Sequence, residues 1–392
     1  MSEPYALVAV GGGPAGFAAV RSYRQDGGRG PVAIVSDERR MPYSRPPLTK
    51  DLLRGELPEA ELPIEPETWL SEHEISLVSG RALSLDAGAD VGELTLVGGR
   101  TLAWRSCVLA TGAEPKRLPL PGSDDPAVRV VRTLDDVREL LVRLHDAPDV
   151  IVIGSGFIGC EIAASLRRRR HAVTLISDEQ APNQARLGER AAAEIARWLR
   201  RDGVQLHLGA EVEAIERRDG LLSVLAGGAR AEAPLVVMAA GVAPRGELAA
   251  AAGAELVDGA IAVDGAMRTS LPRVLAAGDA CLAHNDAAGR PLRVEHWGDA
   301  LAQGAVAGAT AAGRPASWDQ VPGFWSTIGD QTLKHAAWGD GFDEIRFDGP
   351  GDGGPFTAWY GREGRVAGVL THDRDDDYER GSELIGKGAP WS

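Results

Sequence analysis

Residues 8–16 read Val-Ala-Val-Gly-Gly-Gly-Pro-Ala-Gly, and residues 151–159 read Ile-Val-Ile-Gly-Ser-Gly-Phe-Ile-Gly. In each stretch an apolar run typical of a buried strand leads into a glycine loop, and a sequence that favours a helix follows. Such a unit binds the diphosphate of a dinucleotide, because the N–H groups at the start of the helix face the ligand. Two units predict two dinucleotides, and the chemistry that uses both is hydride transfer from a nicotinamide to a flavin.

Length and composition are those of an enzyme with several domains. The chain has 392 residues, which is more than one hydrophobic core usually holds. Its formal net charge of −14 argues against a nucleic-acid partner. No apolar run is long enough to span a membrane, and the first residues lack the pattern of a secretion signal. The three cysteines, Cys107, Cys160 and Cys281, are too few and too widely spaced for a disulfide framework or a metal site. We therefore expect a cytoplasmic protein that needs no metal and no membrane.

The order of strands and helices predicts an α/β fold. Two Rossmann-like dinucleotide-binding domains should be followed by a small α+β domain at the C-terminal end. Proline-rich links at 115–122 and at 244–246 mark the entry to the second unit and the exit from it. We predict a split first domain at 1–118 and 244–320, a second domain at 119–243 and a third at 321–392.

In the first glycine stretch each glycine has a separate task. Gly11 permits the tight turn, Gly13 lets the backbone approach a diphosphate, and Gly16 lets the helix pack close to the sheet. The next predicted strand, 32–35, is followed by Asp37 and Glu38, and a carboxylate there can accept hydrogen bonds from a ribose. For Glu38 a solvated loop position is the alternative.

Three further stretches carry a resemblance to a known family. Residues 107–113 read Cys-Val-Leu-Ala-Thr-Gly-Ala and residues 274–279 read Val-Leu-Ala-Ala-Gly-Asp, so each is a strand that ends in a glycine turn. Residues 41–50 read Met-Pro-Tyr-Ser-Arg-Pro-Pro-Leu-Thr-Lys, a proline-rich loop with two cations. Over nearly its whole length the chain resembles the FAD-dependent ferredoxin reductases of oxygenase systems and the apoptosis-inducing factors. This resemblance implies that the two Rossmann-like domains are arranged as in glutathione reductase.

The resemblance implies a set of FAD contacts. The glycine loop would bind the diphosphate, Asp37 the ribose, Arg45 and Lys50 the flavin, and Asp279 the ribityl chain. The segment Glu295-His296-Trp297 would run beside the flavin and the nicotinamide, and the tryptophan of Phe324-Trp325-Ser326 would lie near the pyrimidine end of the flavin. The full set of implied FAD contacts is Gly11, Gly13, Pro14, Ala15, Gly16, Asp37, Glu38, Arg45, Lys50, Ala82, Ala110, Thr111, Gly112, Asp279, His296, Trp297 and Trp325.

The second glycine stretch predicts the nicotinamide dinucleotide site. Asp178 follows Gly154 by 24 residues, close to the offset of about 20 expected for a ribose-binding acid. Relatives that use NADH usually carry the acid one position earlier, where this chain has Ser177. We favour NADH and leave NADPH open, with Arg186 as the nearest following cation. The implied NAD contacts are Gly154, Gly156, Phe157, Ile158, Gly159, Asp178, Gly241 and Glu295.

The catalytic pair implied by the resemblance is Lys50 and Glu161. A lysine held near flavin N5 would face the negative charge that develops on reduction. The alternative for Glu161 is an acid placed in the first turns of its helix for the helix dipole.

The electron acceptor is inferred from what the flavin loop lacks. No cysteine lies between Tyr43 and Lys50, so a thiol does not relay the electrons. We predict a small iron–sulfur protein as partner, a ferredoxin that serves a cytochrome P450 or a dioxygenase. The alternatives are an NADH oxidase or quinone reductase, and a redox-gated interaction protein like the apoptosis-inducing factors. Arg54, Arg314 and Lys334 are candidates for a basic docking face, unless they pair with neighbouring carboxylates; the oligomeric state is left open.

Overall fold

The computed structural model describes residues 3–392, and the chain divides into two compact units. The first unit consists of 3–44, Leu62–Glu114 and Ala243–Phe324. The second consists of Arg45–Glu61, Pro115–Val242 and Trp325–Ser392. Each unit therefore gathers segments that are distant in the sequence.

Within residues 3–392 the α-helices are α1 (Pro14–Gln25), α2 (Asp51–Arg54), α3 (Glu67–Glu72), α4 (Leu134–Leu144), α5 (Phe157–Arg168), α6 (Gln184–Leu187), α7 (Glu189–Arg201), α8 (Glu247–Ala251), α9 (Trp297–Ala311) and α10 (Asp375–Gly386). Short 3₁₀ helices span Pro46–Thr49 and Glu59–Glu61.

In the same part of the chain the strands are β1 (Tyr5–Val10), β2 (Val32–Ser36), β3 (Ile75–Ser79), β4 (Ala82–Asp86), β5 (Gly92–Leu96), β6 (Thr101–Leu109), β7 (Ala113–Pro115), β8 (Val128–Arg129), β9 (Asp149–Ile153), β10 (Ala172–Ile176), β11 (Gln205–His207), β12 (Val212–Arg218), β13 (Leu221–Ala226), β14 (Ala229–Ala233), β15 (Leu235–Met238), β16 (Val242–Pro244), β17 (Leu256–Val257), β18 (Ala260–Val263), β19 (Val274–Ala276), β20 (Cys281–Asn285), β21 (Arg290–Leu292), β22 (Gly323–Ile328), β23 (Gln331–Ala337), β24 (Glu344–Asp348), β25 (Phe356–Arg362) and β26 (Arg365–His372).

The first unit is built on a seven-stranded sheet. Its strand order is β3-β2-β1-β6-β5-β4, and β19 also pairs with β6. The strands β3, β2, β1, β6 and β19 run parallel, while β4 and β5 form an antiparallel extension. Both β1 and β2 are apolar and almost entirely buried, as parallel strands covered on both faces must be. The Rossmann-like unit predicted at the first glycine stretch is confirmed.

Two helices of the first unit pack unusually closely. A Cβ on Gly304 or Gly308 of α9 would collide with the carbonyl oxygens of Ala15 and Ala19 in α1. The helix α9 begins at Trp297. The helix that follows the first glycine loop is thus held between the sheet and α9. A second sheet of the unit has the order β17-β18-β20-β21.

The second unit contains a five-stranded parallel sheet with the order β11-β10-β9-β15-β8. The antiparallel sheet β12-β13-β14 packs on it, because Leu222 and Val224 share a buried cluster with Ile151 and Ile153. Before the glycine stretch, α4 begins with a capping box in which Thr133 and Asp136 bond each other's backbone N–H groups. The second predicted Rossmann-like unit is confirmed.

The C-terminal part of the second unit is a five-stranded sheet with the order β22-β23-β26-β25-β24, followed by α10. The strands β25 and β26 pair antiparallel. This sheet packs on α7: the rings of Phe356 and Trp198 stack with centroids 6.2 Å apart, and the Tyr360 hydroxyl donates to the Leu187 carbonyl at 3.0 Å. In residues 3–392, no helix combines the length and the hydropathy needed to cross a membrane.

Candidate functional site

The first glycine loop lies between β1 and α1 and contains two glycines that no other residue replaces without strain. Gly11 has φ +127°, and a Cβ there would collide with the Ala110 carbonyl oxygen. A Cβ on Gly16 would collide with the Gly11 carbonyl. At Gly13, by contrast, a Cβ would meet no protein atom within 4 Å. The loop is therefore tight against the sheet and open on its outer side at Gly13.

The start of α1 fits a diphosphate. Gly13 is the N-cap residue, and no side chain caps the helix. Pro14 at the first position has no N–H group, so the donors of the first turn begin at Ala15. Uncapped N–H groups at the positive end of a helix bind a phosphate group well. These residues fit the flavin dinucleotide that the sequence predicts.

The acidic residues after β2 have different environments. Asp37 is exposed at the end of the strand, where a ribose could reach it. Glu38 is partly buried, and one of its carboxylate oxygens accepts a hydrogen bond of 2.5 Å from the Tyr43 hydroxyl. Glu38 thus helps to hold the proline-rich loop, a role that sequence reasoning did not consider.

The other predicted flavin residues of the first unit lie at strand ends. Ala110, Thr111 and Gly112 follow β6, and the Thr111 hydroxyl donates to the Arg245 carbonyl at 2.6 Å. Asp279 follows β19 and a glycine whose N–H donates to the buried Gln303 side chain at 2.8 Å. Ala82 begins β4.

At the start of α9 the structure reveals a residue that sequence reasoning missed. His296 is the N-cap residue and Trp297 the first helical residue. The side chain of Asp299 is 1% exposed; it lies 3.1 Å from His296 Nδ1 and accepts the Gly323 N–H at 3.3 Å. The His296 ring also contacts the Phe324 ring, with centroids 4.6 Å apart. Asp299 therefore orients the predicted cofactor residue His296.

The second glycine loop repeats the design between β9 and α5. Gly154 has φ +103°, and a Cβ on Gly154 or Gly159 would collide with backbone oxygens. Gly156, the N-cap residue of α5, has open space where a Cβ would be. The helix begins at Phe157 without a side-chain cap. As at α1, the uncapped N–H groups at the start of α5 fit the diphosphate of the second predicted dinucleotide.

The surroundings of the second loop agree with a nucleotide site. Asp178 follows β10 and is exposed, and Ile158 is 47% exposed although it is a large apolar residue. Arg186 lies over the Phe157 ring, 5.9 Å from its centroid. Gly241 has φ +88°, and its carbonyl accepts the Lys116 N–H at 2.9 Å. The other predicted NAD contact, Glu295, belongs to the first unit and pairs with Arg293 at 2.9 Å.

A buried ion pair in the second unit joins the predicted catalytic residues. Lys50 Nζ lies 2.8 Å from Glu161 Oε2, and the two side chains are 8% and 3% exposed. The same oxygen accepts the Thr49 hydroxyl at 2.5 Å, and the other carboxylate oxygen accepts the Ser326 hydroxyl at 2.7 Å. A buried carboxylate survives only with such donors. The pair exists, and its action on a flavin stays a prediction.

Sequence reasoning missed two residues that bond the Glu161 carboxylate. Thr49 and Ser326 stand next to Lys50 and Trp325, yet nothing in the sequence shows that they bond Glu161.

Two predicted flavin residues of the second unit are Arg45 and Trp325. Arg45 donates to the Arg132 carbonyl at 2.7 Å, and Trp325 is 44% exposed. A tryptophan exposed to that extent is available for contact with another molecule.

The sequence of the whole dinucleotide-binding region decides the family. Residues 5–304 match the family described as Pyridine nucleotide-disulphide oxidoreductase. The chain belongs to the pyridine nucleotide-disulphide oxidoreductase family.

Three reductases are similar to this chain over most of its length. The rubredoxin-NAD(+) reductase of Pseudomonas putida is 34% identical over 334 residues, which cover 84% of this chain and 86% of that protein. The ferredoxin reductase for the CYP199A2 system from Rhodopseudomonas palustris has a TM-score of 0.92 and 30% identity, over 98% of this chain and 96% of that one. Putidaredoxin reductase, from its covalent complex with putidaredoxin, has a TM-score of 0.91 and 28% identity, over 98% and 93%. The resemblance to ferredoxin reductases and the predicted fold class are confirmed.

Within this pyridine nucleotide-disulphide oxidoreductase the three cysteines are free and buried. Burial raises the pKa of the thiols of Cys107, Cys160 and Cys281 far above the usual value. A thiol that stays protonated is a poor nucleophile.

We therefore expect Ellman's reagent to leave all three thiols unmodified in the native protein and to titrate three after unfolding. Alkylation of the native protein should leave NADH-dependent reduction unchanged. Rapid modification of one thiol, with loss of turnover, would contradict this assignment.

The three cations suggested for a docking face are engaged within the protein. The Arg54 side chain is 7% exposed and pairs with Asp51 and Glu56. Lys334 pairs with Asp375 at 2.8 Å, and Arg314 donates to the Asp26 carbonyl at 3.3 Å. For Arg54 and Lys334 the structure shows the alternative, which is pairing with neighbouring carboxylates.

Proposed function

We propose that this protein is an NAD(P)H-dependent flavoprotein reductase that passes electrons from NADH through FAD to a small iron–sulfur protein. The observation that carries the proposal is the presence of two glycine loops of one design, each followed by an uncapped helix. An iron–sulfur protein as acceptor is supported by the names of two similar proteins, a rubredoxin-NAD(+) reductase and a ferredoxin reductase. The family membership supports the pyridine nucleotide.

The two loops are proposed to bind two different dinucleotides. The first loop, with Gly13 at its open side and Asp37 at the strand end, is proposed to hold FAD. The second, with Gly156 and Asp178, is proposed to hold the nicotinamide dinucleotide. Bound at the first loop, FAD would supply the hydride-accepting and one-electron chemistry, while the protein residues would bind and orient it. The split FAD domain, the NAD domain and the C-terminal domain stay predictions.

Lys50 is proposed as the cation that stabilises the charge on the reduced flavin. Its support is the buried pair with Glu161, since two ionised groups are kept out of water only at considerable cost. The carboxylate also accepts hydrogen bonds from two hydroxyl groups, which fix its position. Glu161 is therefore a positioning residue for the Lys50 ammonium group.

NADH is proposed as the preferred donor. Asp178 and Glu179 follow β10, and a carboxylate there binds the ribose hydroxyls and repels a 2′-phosphate. A cytoplasmic location is proposed as well, since three free cysteines suit a reducing compartment.

The deciding experiment is NADH-dependent reduction of cytochrome c by the purified yellow protein, with and without a ferredoxin. We expect slow reduction by the reductase alone and a rise of about tenfold or more with ferredoxin at low salt, declining as salt screens the encounter. If several ferredoxins and rubredoxin all fail to raise the rate, the carrier function is refuted. Oxygen consumption with NADH alone would then identify an oxidase.

A further inference from the structure

A chain of hydrogen bonds connects the second glycine loop to the acid after β10. The Ser155 hydroxyl, in the middle of the loop, donates to Ser177 Oγ at 2.7 Å. The Ser177 hydroxyl lies 3.4 Å from Asp178 Oδ1, its acceptor. Ser155 and Ser177 are buried, whereas Asp178 is exposed. The orientation of the exposed carboxylate is thus linked to the loop through two buried hydroxyl groups.

A second connection reaches the same loop residue from the other side. The Asn183 side-chain amide donates to the Ser155 carbonyl at 3.1 Å, and the Cys160 thiol donates to that oxygen at 3.3 Å. Asn183 is 4% exposed and has left-handed backbone angles of φ 58° and ψ 23°. Asparagine tolerates this conformation better than most residues. Its carbonyl in turn accepts the N–H groups of Arg186 and Leu187.

Ser155 is therefore fixed at both its hydroxyl and its carbonyl. The segment 177–187 is held to the glycine loop at Ser177 and at Asn183, and the Gly154 N–H adds a bond of 2.8 Å to the Ile176 carbonyl. The side chains of Ser177 and Asn183 are used within the protein. The Ser177 hydroxyl also accepts the Glu179 N–H at 3.2 Å. Loss of these side chains would therefore act on ligand binding through the positions of the loop and of the acids after β10.

We propose that Ser177 and Asn183 are positioning residues for the nicotinamide dinucleotide, because through Ser155 they fix the diphosphate loop relative to the Asp178 carboxylate. The hydrogen bonds of Ser177 and Asn183 to Ser155 set the affinity for NADH and take no part in hydride transfer. The proposal rests on the proposed function, in which the second loop binds the nicotinamide dinucleotide.

The test uses the flavin-loaded protein with ferricyanide as electron acceptor. Ser177→Ala removes the acceptor of Ser155 and the donor to Asp178. Asn183→Gly removes the amide but keeps a residue that accepts the left-handed backbone. Each variant should raise the KM for NADH about five- to thirty-fold, the effect of losing one buried hydrogen bond, while kcat changes less than about twofold. Ser177→Thr, which keeps the hydroxyl, should restore the KM.

The matched control is Ser223→Ala. Ser223 is also a buried serine of the second unit, and its hydroxyl accepts a bond from Arg230 at 3.3 Å. This variant should leave the KM for NADH unchanged.

The outcomes separate this proposal from the proposed function. If the wild-type protein binds NADH, and Ser177→Ala lowers the melting temperature without raising the KM, the two residues are only structural. The positioning role proposed for them is then refuted. The same holds if Ser177→Thr behaves like Ser177→Ala. A wild-type protein whose flavin and fluorescence do not respond to NADH would overturn the proposed function, and this inference with it.

Discussion

Replacement of Lys50 by Met should slow the reduction of the bound flavin by NADH by about 10²- to 10³-fold, the usual effect of removing one electrostatic stabiliser from an active site. Lys50 Nζ lies 2.8 Å from Glu161 Oε2, in a pair that is almost wholly buried. Methionine has a similar length and no charge, so it removes the cation with little change in volume. Stopped-flow absorbance of the flavin measures the rate directly, and the FAD content should stay complete.

A change in stability has to be separated from a change in chemistry. Without its lysine, Glu161 keeps only hydroxyl donors, and breaking a buried pair costs about 3–5 kcal/mol of unfolding free energy. The double variant Lys50→Met with Glu161→Gln removes both charges and should recover much of that stability. We expect it to remain slow.

The outcome that contradicts a role of Lys50 at the flavin is a double variant that regains the wild-type rate. Lys334→Met is the matched control, because Lys334 forms a partly exposed pair with Asp375. Its loss should cost at most about 1 kcal/mol and should leave flavin reduction unchanged.

The second large effect should come from the open glycines of the two loops. Gly13 and Gly156 have φ of −84° and −65°, and a Cβ on either would touch no protein atom within 4 Å. Alanine therefore leaves the fold intact and occupies only the space for a diphosphate. Gly13→Ala should weaken FAD binding, and Gly156→Ala should weaken NADH binding, each by about tenfold or more.

Each variant is the control of the other. Flavin content after dialysis measures the first effect, and the KM for NADH at full FAD occupancy measures the second. Gly11→Ala and Gly154→Ala should instead destabilise the protein, since both positions have positive φ and no room for a Cβ. If Gly13→Ala keeps its flavin and Gly156→Ala keeps its KM, the loops are not the dinucleotide sites.

The sequence predicted the elements whose signals are local. The strand before each glycine loop and the helix after it lie within a few residues of their predicted positions. Their periodicity and glycine spacing are read from neighbouring residues. The pairing of Lys50 with Glu161 came from the resemblance alone, because residues 111 positions apart leave no local pattern.

The supporting residues could not be found in this way. Ser326 follows Glu161 by 165 residues, and Asn183 bonds a loop 28 residues before it. Serine and asparagine are common in turns, so neither stands out in the sequence. Asp299 reads as an ordinary acid of a first helical turn, although it is buried against His296.

The hydrogen bonds to the Glu161 carboxylate limit how chimaeric proteins can be built from members of this family. This carboxylate is held by hydroxyl groups from the proline-rich loop and from the first strand of the C-terminal sheet, two parts that a designer would treat as exchangeable modules. A C-terminal graft that brings no hydroxyl at position 326 would leave one carboxylate oxygen without that donor. A graft of the C-terminal sheet should therefore keep a hydroxyl group at position 326.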